Sequence, residues 1–206
     1  MPVEALTLLA FLPAALALNL TPGADMMFCL GQGLKGGWRA GQAANLGIAA
    51  GGMVHVTLAA LGLAAVLRAH PAAFEALRWA GVGYLLWLAF RALRSGPVRP
   101  TAVARAPVAK VFREALLVNL LNPKVILFIL SFLPQFVDPT RPVVPQFLTL
   151  GLVFCAGGLA VNGFVGGFAA TIGGRLARSD TMSRWLGRAT AAIFAALALR
   201  LAVMER

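Results

Sequence analysis

Two clusters hold the residue types best suited to chemistry in this chain: Asn19-Leu20-Thr21-Pro22-Gly23-Ala24-Asp25 and Asn119-Leu120-Leu121-Asn122-Pro123-Lys124. Their leading asparagines lie 100 residues apart, and each cluster interrupts an apolar stretch. Thr21-Pro22 and Asn122-Pro123 each set a good N-cap residue before proline, the residue best tolerated at the first helical position, so each pair is predicted to start a helix. Proline removes an amide donor and Gly23 adds backbone freedom, which leaves upstream carbonyls and downstream amides in want of partners. The partial positive charge and free N–H groups of a helix start suit a carboxylate, while freed carbonyls suit an ammonium or a coupling cation.

Asp25 follows the Thr21 cap by four residues, where a helix dipole favours the ionised carboxylate, and an acid inside an apolar run marks a task. Lys124 stands second in its helix, where its charge opposes the dipole, so an anionic partner is implied. That partner is either Asp25, as a paired salt bridge inside the membrane, or the carboxylate of a cargo; the sequence leaves both open. His55, well inside another apolar run, can hydrogen-bond between helices or relay coupling protons, and packing is the favoured reading. Asn45 and Asn162 are expected to bond between helices. Trp79, Tyr84 and Trp87 are expected to anchor a helix at the membrane interface. Cys29 and Cys155 read as small core residues, with no spacing for a metal site or redox pair.

The elements that must position these residues follow from composition. Of 206 residues 60% are apolar and only 12% charged, and mean hydropathy is +0.83, beyond what a soluble domain of this length carries. The charges fall between six apolar runs long enough to span a bilayer as helices, near Val3 to Leu30, Gln42 to Leu67, Phe74 to Phe90, Ala115 to Val137, Phe147 to Ile172 and Trp185 to Val203. An all-α membrane protein of one compact domain, residues 1–206, is predicted, with no soluble catalytic domain. The start, Met1-Pro2-Val3-Glu4, lacks the basic region of a cleavable signal, so the first span is expected to stay.

The net charge of +11 is explained by orientation rather than by nucleic acid, because the cations sit in connections beside the spans. With the N-terminus outside, the inner connections hold Lys35, Arg39, Arg91, Arg94, Arg99, Arg105, Lys110, Arg113, Arg175, Arg178 and Arg184. The outer ones hold only Arg68, Arg78, Arg141, Arg200 and Arg206, so both termini are predicted outside the cytoplasm.

Three spans on either side of a linker at about 95–107 mean that a second copy of the first half, about 1–94, would sit upside down as 108–206. This is an inverted 3+3 repeat with broken first and fourth helices. Asn19-Leu20 matches Asn119-Leu120, and Pro22 lies 101 residues before Pro123. Both breaks are then expected at similar depth, toward the cytoplasmic side of the midplane. Glycines four apart, Gly47 with Gly51 and Gly163 with Gly167, are expected to let helix backbones pack closely.

These motifs carry a resemblance. The Asn19 to Asp25 string, the run Leu117 to Lys124 with Phe132-Leu133-Pro134-Gln135-Phe136 after it, Tyr84 to Arg91, and the Gly47 to His55 region resemble the lysine-exporter (LysE/RhtB) family of amino-acid efflux permeases across nearly the whole chain. The resemblance implies a multi-pass secondary transporter of the bacterial cell (inner) membrane. It would export amino acids or close derivatives from the cytoplasm on a proton or ion gradient, without ATP and without a cofactor. Relatives usually read Pro-Gly-Pro-Asp at the first motif; here Ala24 replaces the second proline, so a less rigid break is expected.

The substrate-binding set is accordingly Asn19, Thr21, Pro22, Gly23, Asp25, Asn119, Asn122, Pro123 and Lys124, with Asp25 and His55 as candidates for proton coupling. Asp25 would hold the substrate ammonium or a proton, Lys124 and the helix starts the carboxylate. The expected partners are an amino acid, a coupling proton or cation and the lipid bilayer, with oligomeric state open, a homo-oligomer included. Export of a metal cation is the runner-up, but one intramembrane carboxylate with no His or Cys cluster supplies too few ligands. A membrane enzyme would need a nucleophile and base, which the spans do not offer.

Overall fold

Helices make up every regular element in the computed structural model, which describes residues 2–69, 73–94, 106–168 and 180–203. They are α1 (Ala5–Leu20), α2 (Ala24–Ala69), α3 (Ala73–Arg94), α4 (Val108–Leu120), α5 (Pro123–Ser131) with a short 3-10 turn (Leu133–Phe136), α6 (Val143–Gly167) and α7 (Asp180–Val203). The two breaks fall where the prolines and asparagines placed them, at residues 21–23 and 121–122. Most of the linker at 95–107 lies outside the described residues, as do the end of the fifth apolar run and four of the inner arginines, Arg99, Arg105, Arg175 and Arg178.

The connection expected between the first two spans is reduced to one residue. Helix α2 runs 46 residues and turns at Gly37, whose φ of 69° and ψ of −165° a side-chain-bearing residue rarely adopts. Lys35 and Arg39 therefore ride on helical turns beside that corner rather than in a loop.

Among the described residues two helical stretches are long and apolar enough to cross a bilayer by themselves, Ala24–Gly62 and Val143–Gly167, and α4 with the segment Pro123–Phe136 forms a third candidate bent by 52°. α1 is apolar but only 16 residues long. Leucines exposed along α1, α2 and α6, among them Leu6, Leu9, Leu58, Leu61 and Leu152, give the bundle an apolar outer surface, as lipid requires. The chain is an all-helical membrane protein.

α2 packs on α4 and α6, α1 on α6, and α3 on α7. The α2 crossings are tight because glycines remove side chains from the contact. A Cβ on Gly41 would overlap the Gly166 backbone, one on Gly47 the Phe112 carbonyl of α4, and one on Gly151 the Val56 side chain. Where lipid offers no hydrophobic drive for association, such close packing is a main source of helix affinity. The expected role of the glycines is therefore seen, though Gly163 meets Asn45 and Gly167 meets the Trp38 ring rather than a second glycine. One end of the bundle is filled by aromatic rings, with Phe128 in contact with Phe11, Phe132 and Phe154, and Phe136 against both Phe11 and Phe132. Beyond them Arg141 joins Glu4 at 2.7 Å and Asp138 at 3.4 Å.

Candidate functional site

Asn122 opens α5 as its residue type predicts: its side-chain oxygen accepts the Lys124 N–H at 3.1 Å, with Pro123 in the first turn. Thr21 does the reverse of what was expected. Its hydroxyl donates to the Ala17 carbonyl at 2.6 Å and its N–H bonds back to Ala17 and Leu18, so it closes α1, and α2 begins only at Ala24. The physical reason is that a threonine hydroxyl can donate to the carbonyl four residues earlier and so serve a helix end as well as a helix start, while Pro22, with no N–H, cannot continue the ladder to Leu18.

Lys124 crosses from the second break to the first. Its ammonium donates to the Leu18 carbonyl at 2.8 Å and the Thr21 carbonyl at 2.6 Å. Besides the two anionic partners weighed from sequence there is thus a third, the negative end of α1, which a charge against the dipole of α5 serves well. The Lys124 carbonyl in turn accepts the Tyr84 hydroxyl at 2.8 Å. Tyr84 is buried, so it pins the start of α5 instead of anchoring α3 at the interface; Trp79 and Trp87 are exposed.

Asp25 accepts the Asn119 side-chain N–H at 2.9 Å through Oδ2, while its Oδ1 is buried without a hydrogen-bond partner. Asn122, Lys124 and His55 surround the same carboxylate. His55 Nε2 lies 3.2 Å from the Asn119 carbonyl, so His55 and Asp25, 30 residues apart in the chain, are linked through one asparagine. Asn19 donates to the Phe154 carbonyl at 3.1 Å. Asn45 bonds across to the Leu159 carbonyl at 2.9 Å, as expected, and Gln42 to that of Gly163 at 2.9 Å.

A cavity of about 40 Å³ lies between the two breaks, room for about three water-sized groups at ~10–15 Å³ each. Asn19, Thr21, Gly23, Asp25, Asn119, Asn122 and Lys124 line it; Pro22, Pro123 and His55 do not. The prolines shape the breaks rather than face the space. The opposite wall was missed from sequence: Ile48, Ala49 and Gly52 of α2 with Phe154, Cys155, Gly158, Leu159 and Asn162 of α6. Cys155 is a buried core residue, as read from sequence, and also faces this wall. Among the described residues no three His, Cys, Asp or Glu side chains gather as metal ligands.

The arrangement sets a carboxylate with a spare acceptor oxygen, an ammonium and two helix breaks around one small space in a membrane. Comparison with known proteins agrees in kind. The chain is 36% identical over 146 residues to a Vibrio cholerae protein described as an uncharacterized membrane protein, covering 70% of this chain and 71% of that one. It is 33% identical over 145 residues to a homoserine/homoserine lactone efflux protein of Salmonella typhi, covering 69% and 70%. It is 34% identical over 139 residues to a leucine efflux protein of Salmonella choleraesuis, covering 64% of each. No solved structure matches it. The model of the LysE type translocators matches residues 16–205 and so takes in both breaks and the whole cavity wall. The chain belongs to the LysE type translocator family, a family of transporters and not of enzymes.

Proposed function

We propose that this protein is a secondary transporter that exports amino acids or close derivatives from the cytoplasm, across the bacterial inner membrane, on a proton or ion gradient. The observation that carries the reading is the meeting of two helix breaks around one cavity with Asp25 and Lys124 on its wall. Asp25 Oδ1, buried and without a donor, takes the substrate ammonium or a coupling proton; the Lys124 charge attracts the carboxylate, while the first amides of α5 are already held by Asn122. The names of two relatives, exporters of homoserine or its lactone and of leucine, support a small amino acid as cargo.

The reading includes six spans as an inverted 3+3 repeat with both termini outside. Its support is the exchange of broken helices between the halves: α1 packs on α6 and α4 on α2. Asn19 lies against Gly157 and Gly158, and Asn119 against Gly51. Each asparagine thus seats in a glycine site of the other half. The test is a panel of radiolabelled amino acids in proteoliposomes under an imposed gradient. Gradient-dependent movement of leucine or homoserine is the expected result; movement of none of the panel would refute the cargo class.

A further inference from the structure

Carbonyls freed by a break in a membrane helix are a usual resting place for a coupling sodium ion. At the end of α1 the Leu18 and Thr21 carbonyls are of this kind, and the positive charge they hold is the protein's own: Lys124 Nζ, at 2.8 and 2.6 Å. The lysine is delivered from a fixed base. Its N–H is held by Asn122 and its carbonyl by Tyr84, so the side chain leaves a backbone secured on both sides. A Cβ on Gly23 would come within 3.4 Å of both Cδ and Nζ, which places the lysine side chain directly across the bend between α1 and α2. The start of α5 disfavours a positive charge and the end of α1 favours it, so electrostatics ties the ammonium to α1.

We infer that Lys124 is a tethered cation: it occupies at the Leu18 and Thr21 carbonyls the place an alkali-metal ion takes in other broken-helix carriers, and export proceeds without a sodium or potassium gradient. The inference rests on the secondary-transport reading and narrows its coupling ion. It also makes Lys124 the joint between the two halves, since the ammonium comes from one break and the carbonyls from the other.

The test uses the purified full-length protein in nanodiscs, melted in choline, sodium or potassium chloride at equal ionic strength, beside Lys124→Met, which keeps the aliphatic stem and drops the charge. The unmodified protein melts at the same temperature in all three salts. Lys124→Met melts lower in choline by about 4 °C or more and recovers in sodium or potassium, as a free ion enters the vacated carbonyls. Equal melting of the variant in all three salts, whether lowered or not, overturns the inference. If the variant does not fold, the unmodified protein decides: stabilisation or faster leucine or homoserine export in sodium or potassium over choline overturns it, and indifference supports it. The melting comparison needs no cargo, so absence of export in every salt would refute the amino-acid reading and leave this result standing.

Discussion

Thr21 returns its hydroxyl to Ala17 and ends a helix, whereas Asn122 accepts the Lys124 amide and begins one. The two breaks are thus built differently, and Lys124 bridges them. Asp25 has a different character, with one oxygen held by Asn119 and one unheld. Asp25→Asn is expected to abolish gradient-driven export while the protein still inserts and purifies as a folded species, because a carboxamide keeps the shape and one acceptor but not the charge. Normal export by that variant would show that the carboxylate does not handle charge. Tyr84→Phe removes only the hydroxyl bonded to the Lys124 carbonyl and should lower stability by about 1 kcal/mol, read as a reduced melting temperature. An unchanged melt would mean the bond contributes nothing. Asp25 and Lys124 were legible in the sequence because a charge in an apolar run demands a reason. Tyr84 was not, since its partner lies 40 residues away and an aromatic near a helix end has a commoner explanation.

At the scale of elements, proline next to a capping residue marked both breaks to within a residue or two. The turn at Gly37 was hidden, because a single positive-φ glycine among several glycines leaves no periodic trace. The partners of the glycine-rich helices were equally hidden: sequence says that a small residue permits close approach, not whose backbone approaches. Gly151→Ala tests the α2 and α6 crossing. Its Cβ would strike Val56, so the helices must separate or repack, at a cost of about 1–3 kcal/mol, measured by melting in detergent or nanodiscs. Gly62→Ala is the matched control, with nothing within 4 Å of the added carbon. It should be neutral or slightly stabilising, and similar losses at both positions would mean that the crossing is not what limits stability.

For the whole molecule, composition alone made the membrane reading, and the cation bias made the orientation. In a background free of Cys29 and Cys155, Arg99→Cys and Ser179→Cys should be shielded from an impermeant thiol reagent in whole cells, and Pro139→Cys should be labelled. The eleven inner against five outer cations motivate this pattern. Labelling at position 99 from outside would reverse the orientation.

The exchange of broken helices between the halves also has a consequence in time. Asn19 is synthesised 135 residues before the Phe154 carbonyl that accepts its hydrogen bond, an interval of about 7–27 s at ordinary elongation rates. For most of that interval the first break stands in the membrane without the ammonium that its carbonyls hold in the finished protein, since Lys124 comes 103 residues after Thr21. The nascent first half therefore cannot reach its final packing alone, and the second half, as it emerges, acts as its chaperone.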